Sequence, residues 1–310
     1  MEVDYRYEHV TGVSAKSYFT LGVRYDAEYD HHSSRESWCV HLSADRLSTS
    51  LGNAAYYTGI WCSPEGEVFV AEALGTVFRN SDPVRDPDGW IADVPEAGVA
   101  LSGLWGLRSD YVLAWGGPAE RLFLWNGSAW SAMPHPGGWI RAIHGESSDL
   151  LFAVGREGLI SRWDGVKWTR VPYPDITLRT VVSVGDGDQV YCGGPGGELL
   201  EGSEHGVSKL LHHDAPILAL SWWRDELWVG AGNGLHKLVD GALEMVKDNI
   251  LAHAFDARGD LLMGTDAFTA HTADGAAFTA YFPKSFGALR AGHTALWAPD
   301  LPIDIDHGRP

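Results

Sequence analysis

A repeated pattern of short apolar segments separated by polar turns constrains this chain more than any other feature of its sequence. Six segments share it: an apolar pair, a polar turn of four to six residues, and an apolar triplet that often ends in glycine. They begin at Gly59, Gly103, Ala142, Val181, Ala219 and His253. Each is typical of two antiparallel strands joined by a tight turn, and self-similarity at a period of roughly 40 residues indicates a repeat architecture.

The second half of each repeat also matches along the chain. Residues 120–136 align with 158–174, and more loosely with 233–246 and 266–283. All four segments contain an Asn-Gly or Asp-Gly pair, which favours a hairpin turn with positive φ. These pairs begin at Asn126, Asp164, Asp240 and Asp274. We therefore predict a third and a fourth antiparallel strand in each unit.

The N-terminal region fits the same register. Residues 9–22 superpose on 142–155 without a gap, and 36–50 supply two more strands. Residues 23–35 are interpreted as a polar insertion between the second and third strands. The chain thus contains seven units, which begin near residues 9, 59, 103, 142, 181, 219 and 253.

The C-terminal segment 286–308 has no counterpart in the repeat and predicts two or three further strands. They either complete an eighth unit or close a ring of seven, and we prefer seven. Four-stranded antiparallel units of this size close radially into a β-propeller, which leaves only short protected edges. No helical periodicity persists over a dozen residues. We predict one all-β domain over 1–310, a seven-bladed propeller, with six or eight blades as alternatives.

Two segments resemble known propeller families. LFAVGREGLISRWDGVKW at 151–168 is similar to bacterial repeats related to the sialidase-type and photosystem-assembly-type propellers. TADGAAF at 272–278 resembles the Asp-box turn of sialidase-type blades, with one spacer residue fewer between Asp and Gly. The resemblance covers roughly 57–283 and implies the fold. It does not imply a function, because propellers serve as enzymes, lectins and scaffolds.

The charge balance indicates the class of partner. Lys and Arg number 23 against 41 Asp and Glu, a net charge of −18. Such a chain is unsuited to holding a phosphate backbone, which needs basic surface, so we expect no nucleic-acid partner. An acidic field favours a basic protein surface or a metal ion, or it serves solubility. We expect a monomer that binds a basic protein.

The N-terminus and the cysteines bear on location. The first ten residues have no apolar core, and no window of about 18 apolar residues occurs, so we expect neither a signal peptide nor a membrane helix. Cys39, Cys62 and Cys192 are odd in number and form no C-x-x-C pair. We therefore expect buried thiols in a reducing compartment, and hence a cytoplasmic protein.

The first-strand positions after the apolar anchor form the main candidate site, because the first strands of a propeller surround its channel. The aligned residues are Thr11, Trp61, Trp105, His144, Ser183, Ser221 and Phe255, with Arg290 as an eighth candidate. Trp61, Trp105, His144 and Arg290 differ from the small apolar residues that would simply fill a channel. They either pack between neighbouring blades or form a pocket for a ligand or partner at the channel mouth.

Aromatic residues outside the repeat form a second candidate site. Trp222 and Trp223 are predicted in a turn between the first two strands of their unit, where two adjacent indoles cannot both be buried easily. Exposed aromatic side chains mark binding surfaces, although local packing is the alternative. Tyr25 and Tyr29 in the 23–35 insertion are the next candidates.

No catalytic or metal-binding pattern stands out. His31-His32 and His212-His213 lack further ligands at metal spacing, and neither H-E-x-x-H nor G-x-S-x-G occurs. Carboxylates at Asp300, Asp304 and Asp306 could hold a hard cation, although a solvated edge strand is the favoured interpretation. We expect no metal and no cofactor.

Three functions follow in order of preference. The first is a non-catalytic propeller that captures a basic protein, as a toxin-neutralising immunity protein or an assembly factor. The second is a carbohydrate or small-molecule binding propeller, which needs an exposed aromatic residue repeated per blade. Trp130 and Trp168 recur, with Phe278 in register, but they lie in the fourth strand, where we expect packing between blades instead. The third is a hydrolase or lyase at a channel mouth, using His144, Arg290 and Glu72 or Glu157.

Overall fold

The computed structural model describes residues 3–26, 36–43, 46–53, 56–116, 120–185, 189–203, 205–281 and 303–304. These residues form 29 β-strands and no helix. The strands assemble into seven consecutive antiparallel sheets, in each of which every strand pairs with its neighbour in sequence. The repeat pattern therefore predicted the number of sheets and the all-β class correctly, and none of the described segments is a helix that could cross a membrane.

Sheets 1, 2 and 7 belong to one compact unit, drawn from Met1–Val94 and Ala254–Pro310. Sheet 1 contains β1 (Val3–Ser14), β2 (Ser17–Asp26), β3 (Glu36–Ser43) and β4 (Arg46–Asn53). Sheet 2 contains β5 (Tyr57–Cys62), β6 (Val68–Glu72), β7 (Val77–Asn80) and β8 (Ile91–Asp93). Sheet 7 contains β25 (Ala254–Asp256), β26 (Leu261–Gly264), β27 (Thr269–Thr272), β28 (Thr279–Tyr281) and a fifth strand, β29 (Ile303–Asp304).

Sheets 3 to 6 belong to the second unit, Pro95–His253. Sheet 3 contains β9 (Gly103–Arg108), β10 (Tyr111–Gly116), β11 (Arg121–Trp125) and β12 (Trp130–Met133). Sheet 4 contains β13 (Ile140–Ser147), β14 (Leu150–Gly155), β15 (Ile160–Trp163) and β16 (Trp168–Arg170). Sheet 5 contains β17 (Thr180–Val184), β18 (Gln189–Gly193), β19 (Glu198–Ser203) and β20 (Gly206–His212). Sheet 6 contains β21 (Ile217–Trp223), β22 (Glu226–Ala231), β23 (Gly234–Val239) and β24 (Ala242–Lys247).

The core lies between neighbouring sheets within each unit. Every residue of β6, β10 and β14 is buried. Apolar side chains of β6 pack against sheet 1, those of β10 against sheet 4, and those of β14 against sheets 3 and 5. Their sequences are accordingly continuous apolar runs rather than alternating ones. The first strands meet side by side: β1 contacts β5 and β25, while β13 contacts β9 and β17, and β17 contacts β21. The first strand of a repeat is therefore the innermost strand of its sheet within each unit.

The predicted Asn-Gly and Asp-Gly hairpins are confirmed, and the Asn or Asp side chain stabilises the turn through hydrogen bonds. In the β15–β16 turn, Asp164 Oδ1 accepts the backbone N–H groups of Val166 and Lys167 at 2.9 and 2.8 Å. These backbone hydrogen bonds lower the pKa of the Asp164 carboxyl. Gly165 follows with a φ of 88°. Asn126 and Asp274 hold their turns in the same way.

Two local predictions were wrong. Strand β2 continues to Asp26, because β1 begins at Val3 and pairs with it, so residues 23–26 are strand rather than insertion. Trp222 and Trp223 end strand β21 instead of lying in a turn. The turn consists of Arg224 and Asp225 alone, whose φ angles of 53° and 61° permit a two-residue hairpin without glycine.

Candidate functional site

Side chains on the first strands, including aligned Thr11 and His144, join neighbouring sheets through one recurring bond. A side chain on one first strand accepts a backbone N–H from the first strand of the next sheet. The four examples are Gly12 N to Asp256 Oδ2 at 3.1 Å, Cys62 N to Thr11 Oγ1 at 3.0 Å, Ser183 N to His144 Nδ1 at 3.2 Å, and Leu220 N to Thr180 Oγ1 at 3.1 Å. Several of the positions that sequence alignment singled out therefore hold sheets together.

A charged cluster extends this bond in the first unit. Thr11 Oγ1 donates to Asp256 Oδ2 at 2.9 Å, and Arg258 Nε donates to Asp256 Oδ1 at 2.9 Å. The Arg258 guanidinium also bonds the carbonyl of Cys62. Burial disfavours the charged form of Arg258, but its hydrogen bond and attraction to Asp256 raise its pKa overall. The cluster links the first strands of sheets 7, 1 and 2.

Trp61 packs against the Asp256–Arg258 cluster and is not an exposed aromatic platform. Its side chain is buried, its ring centroid lies 6.0 Å from that of Phe69, and the Arg258 guanidinium lies over it at 5.8 Å. A cation held over an indole face is a favourable contact. The contacts of Trp61 thus support the cluster, and a direct role in binding stays a prediction.

His144 and Trp105 form the corresponding contact in the second unit. Their ring centroids are 5.8 Å apart, and His144 Nδ1 lies 3.0 Å from Ser183 Oγ. Burial lowers the pKa of His144 to about 4, so its imidazole is neutral at pH 7. Since Nδ1 accepts the Ser183 backbone N–H, the ring proton belongs on Nε2.

This Ser-His-carboxylate arrangement does not match a nucleophile triad. Ser183 is 1% exposed, and its hydroxyl, not the imidazole, is the group that reaches the Glu146 carboxylate at 3.5 Å. A triad needs an accessible hydroxyl and a carboxylate that orients the histidine. Glu72 is buried in β6 and Glu157 is exposed in the β14–β15 turn.

The prediction that Trp222 and Trp223 are exposed loop aromatics is corrected by their packing. Trp223 is 4% exposed and packs edge-on against Trp228 at 5.6 Å, while Trp222 stacks on Tyr191 of sheet 5 at 6.2 Å. The two adjacent indoles therefore both find packing partners, on opposite faces of the strand. Tyr25 lies in β2 opposite Asp4. Tyr29 and Arg290 lie outside the described residues.

The recurring fourth-strand tryptophans each face a second tryptophan across their own hairpin. Trp130 faces Trp125 at 5.6 Å and Trp168 faces Trp163 at 5.5 Å, each pair flanking an Asx turn. Phe278, at the aligned position, is buried. The prediction that these side chains pack between blades is confirmed for Trp168, whose Nε1 donates to the Pro134 carbonyl after sheet 3 at 2.8 Å and whose ring packs on a core shared by sheets 3 and 4.

The structure also places the cysteines and one of the three C-terminal carboxylates. Cys39, Cys62 and Cys192 are free and buried, as predicted. Asp304 lies in β29, the edge strand of sheet 7, whereas Asp300 and Asp306 are outside the described residues. Within the described ranges, no three His, Cys, Asp or Glu side chains come together as a metal site.

A cleft that sequence reasoning missed lies between sheets 1 and 2. It encloses about 360 Å³, within the range of small-ligand and side-chain pockets. Buried Phe19 and Cys62 contribute to its floor, and Val13 and Val84, which are 45% and 53% exposed, line its walls. The remaining lining residues are polar or glycine, and they include Glu65, Asp82 and Arg85.

The cleft residues left a weak signal in the sequence. Val13 and Val84 are the large apolar residues of two otherwise small or polar segments, GVSAKS and SDPVRDPD. Val13 lies near the end of β1 and Val84 in the loop between β7 and β8, and both side chains are exposed instead of entering the core. Asp256 and Arg258 gave no such signal, because their partners are about two hundred residues away in sequence.

Comparison with known proteins supports the fold. No protein-family profile and no curated protein matches the sequence. The structure is similar to that of YCF48 bound to D1 peptide, with a TM-score of 0.63 and 12% identity over 86% of this chain and 91% of the other. It is also similar to the WD40 propeller domain of Doa1, with a TM-score of 0.65 and 11% identity over 92% and 95%. The chain is a seven-bladed β-propeller.

A third similar structure is a catalytically inactive virginiamycin B lyase from Staphylococcus aureus with quinupristin. Its TM-score is 0.63, with 12% identity over 85% of this chain and 92% of the other. At these identities the likeness establishes the propeller fold, which is shared by binding proteins and enzymes alike. Any function of this chain must be argued from its own residues.

Proposed function

We propose that this chain is a non-catalytic propeller that binds a basic protein partner. The observation that carries the proposal is the placement of exposed apolar side chains. Of the seven large apolar side chains that are exposed among the described residues, four belong to sheet 2 and its loops. They are Leu74, Val84, Ile91 and Val94. This concentration of exposed apolar side chains in one sheet and its loops supports an interaction surface there.

The charge of the chain supports a basic partner. With a net charge of −18, the protein attracts cationic surfaces and repels acidic ones, which raises the rate of productive encounters. Two of the similar propellers fit this proposal: YCF48 is seen with a bound peptide, and the Doa1 domain is of the WD40 type. A catalytic role for Ser183 and His144 has less support, because their side chains bond each other and the neighbouring strand.

We further propose two biological settings, both in the cytoplasm. An immunity protein would form a stoichiometric complex that abolishes the activity of a toxin. An assembly factor would bind its partner only until that partner joins a larger complex. The three free, buried thiols support a reducing compartment. Measuring whether the captured partner is inactive in the complex, or is absent from its mature assembly, separates the two.

Affinity capture with matched variants tests the proposal. The double variant Ile91→Lys/Val94→Lys changes the exposed apolar surface of sheet 2, and Val166→Lys/Met245→Lys makes the same change on sheets 4 and 6. We expect a basic protein to be retained by the wild type and the control, lost from the sheet 2 variant, and eluted by salt. Equal retention by both variants would refute a protein-binding role for sheet 2.

A further inference from the structure

The geometry of the cleft between sheets 1 and 2 points to a specific ligand: we infer that it binds a cationic side chain with an apolar stem, lysine or arginine, presented by an extended segment of the partner. This inference rests on the proposed function and identifies where, and by what chemistry, the partner is held. It concerns residues of the first unit only.

The lower part of the cleft suits an alkyl chain. Phe19 and Cys62 are 4% and 2% exposed, and Val13 and Val84 reach into solvent above them. The long side chains of lysine and arginine cover apolar surface with their methylene groups while the charged head stays at the polar end. A volume of about 360 Å³ leaves room for such a side chain and part of its backbone.

The rim of the cleft suits a positive charge. Glu65 and Asp82 are on the cleft lining, and Glu65 is exposed. The one basic residue of the lining, Arg85, is 88% exposed and lies 3.6 Å from Asp82 through Nη1. Such an exposed ion pair contributes little to stability. The Arg85–Asp82 pair is therefore a model for the interaction of a ligand cation with Asp82, and Arg85 competes with that cation.

The loop that carries Asp82 and Val84 is held in place from below. Asn80 is 3% exposed, and its side chain accepts the Asp82 backbone N–H at 2.9 Å and donates to the Asp86 carbonyl at 2.7 Å. On the opposite side, the Ser63 hydroxyl accepts the Glu65 and Glu67 backbone N–H groups at 3.2 and 3.1 Å. A preorganised rim loses less entropy when it binds.

Peptide binding to the whole protein tests the inference without knowledge of the partner. The probe is a blocked pentapeptide, Gly-Val-Lys-Val-Gly, followed by changes in nuclear magnetic resonance shifts, and its matched control has norleucine in place of lysine. We expect saturable binding of the lysine peptide in the millimolar range, and binding at least tenfold weaker for norleucine. Equal binding of the two peptides would overturn the inference.

Variants of opposite sign make the test specific. Asp82→Asn and Glu65→Gln together should weaken binding of the lysine peptide about tenfold, whereas Arg85→Gln should strengthen it severalfold by removing the competing cation. Asp225→Asn, at an exposed turn of sheet 6, is the charge-matched control for Asp82→Asn and should have little effect. If all these variants bind the peptide equally, the cleft is not the site.

The two proposals fail separately. Loss of the natural partner in the Ile91→Lys/Val94→Lys variant, together with no binding of the lysine peptide, would overturn the cleft inference and leave the protein-binding function standing. Binding of the peptide at the cleft, with no partner captured by the wild type, would overturn the function as proposed.

Discussion

Thr11 and Asp256 stand 245 residues apart in sequence, yet Thr11 Oγ1 donates a hydrogen bond of 2.9 Å to Asp256 Oδ2. The bond joins the first strand of sheet 1 to the first strand of sheet 7. Tyr18 Oη and Thr269 Oγ1, which are 2.8 Å apart, and Ala15 N with Asp260 Oδ2 at 2.9 Å cross the same boundary. Among the described residues, the first and last sheets are thus joined directly. A sealing role for segment 286–308 stays a prediction.

Removing the Thr11 hydroxyl tests the importance of this boundary. Thr11→Val preserves the shape of the side chain but leaves the buried Cys62 N–H without its acceptor. We expect a loss of about 1–3 kcal/mol in the free energy of unfolding, measured by chemical denaturation. Thr169→Val, at an exposed position of β16, is the matched control and should change stability by less than about 0.5 kcal/mol. Equal effects would show that the bond contributes nothing specific.

His144 should make stability depend on pH. Burial lowers its pKa from 6.5 to about 4, so below pH 6.5 the unfolded chain takes up a proton that the folded chain excludes. The stability contribution of neutral His144 is complete above pH 6.5 and is lost as the pH falls towards 4, by up to about 3 kcal/mol. His144→Gln should remove that part of the decline, and the exposed His212→Gln should not. Identical pH profiles for the two variants would contradict this account.

The Asx turn of sheet 4 supplies a third prediction. Asp164→Ala removes the acceptor for the Val166 and Lys167 N–H groups and should lower the melting temperature. The melting temperature of Asp164→Asn should stay close to that of the wild type, because Asn126 holds the equivalent turn of sheet 3 through Oδ1. A melting temperature equally low in both variants would mean that the charge, rather than the hydrogen bonds, stabilises the turn.

Trp223 should be a core residue in energetic terms. Its side chain is 4% exposed and rests on Trp228, so Trp223→Ala should lower the free energy of unfolding by about 3–5 kcal/mol. Trp222→Phe should preserve the stack on Tyr191 and most of the stability. A Trp223→Ala protein with unchanged unfolding and weakened partner binding would instead restore the loop-binding hypothesis.

The sequence predicted the architecture well because each blade carries its own local signals. Short apolar segments separated by polar turns, and Asp-Gly pairs, act within one hairpin, and both can be recognised without long-range information. The Trp222 prediction failed because Arg224 and Asp225 adopt positive φ, a conformation that sequence reading assigns to Gly or Asn. The aligned first-strand positions were found correctly, but their partners come from other sheets. The Asp256 cluster could therefore not be foreseen, and only Val13 and Val84 hinted at the cleft.

Site-specific photo-crosslinking in the source cell tests the protein-binding account most directly. A photoreactive residue in place of Val84, on the cleft wall, is compared with one in place of Val166, which is exposed on sheet 4. The account predicts one predominant adduct with a basic protein at position 84, suppressed by salt and absent at position 166. No adduct at position 84, or the same adducts at both positions, would contradict it.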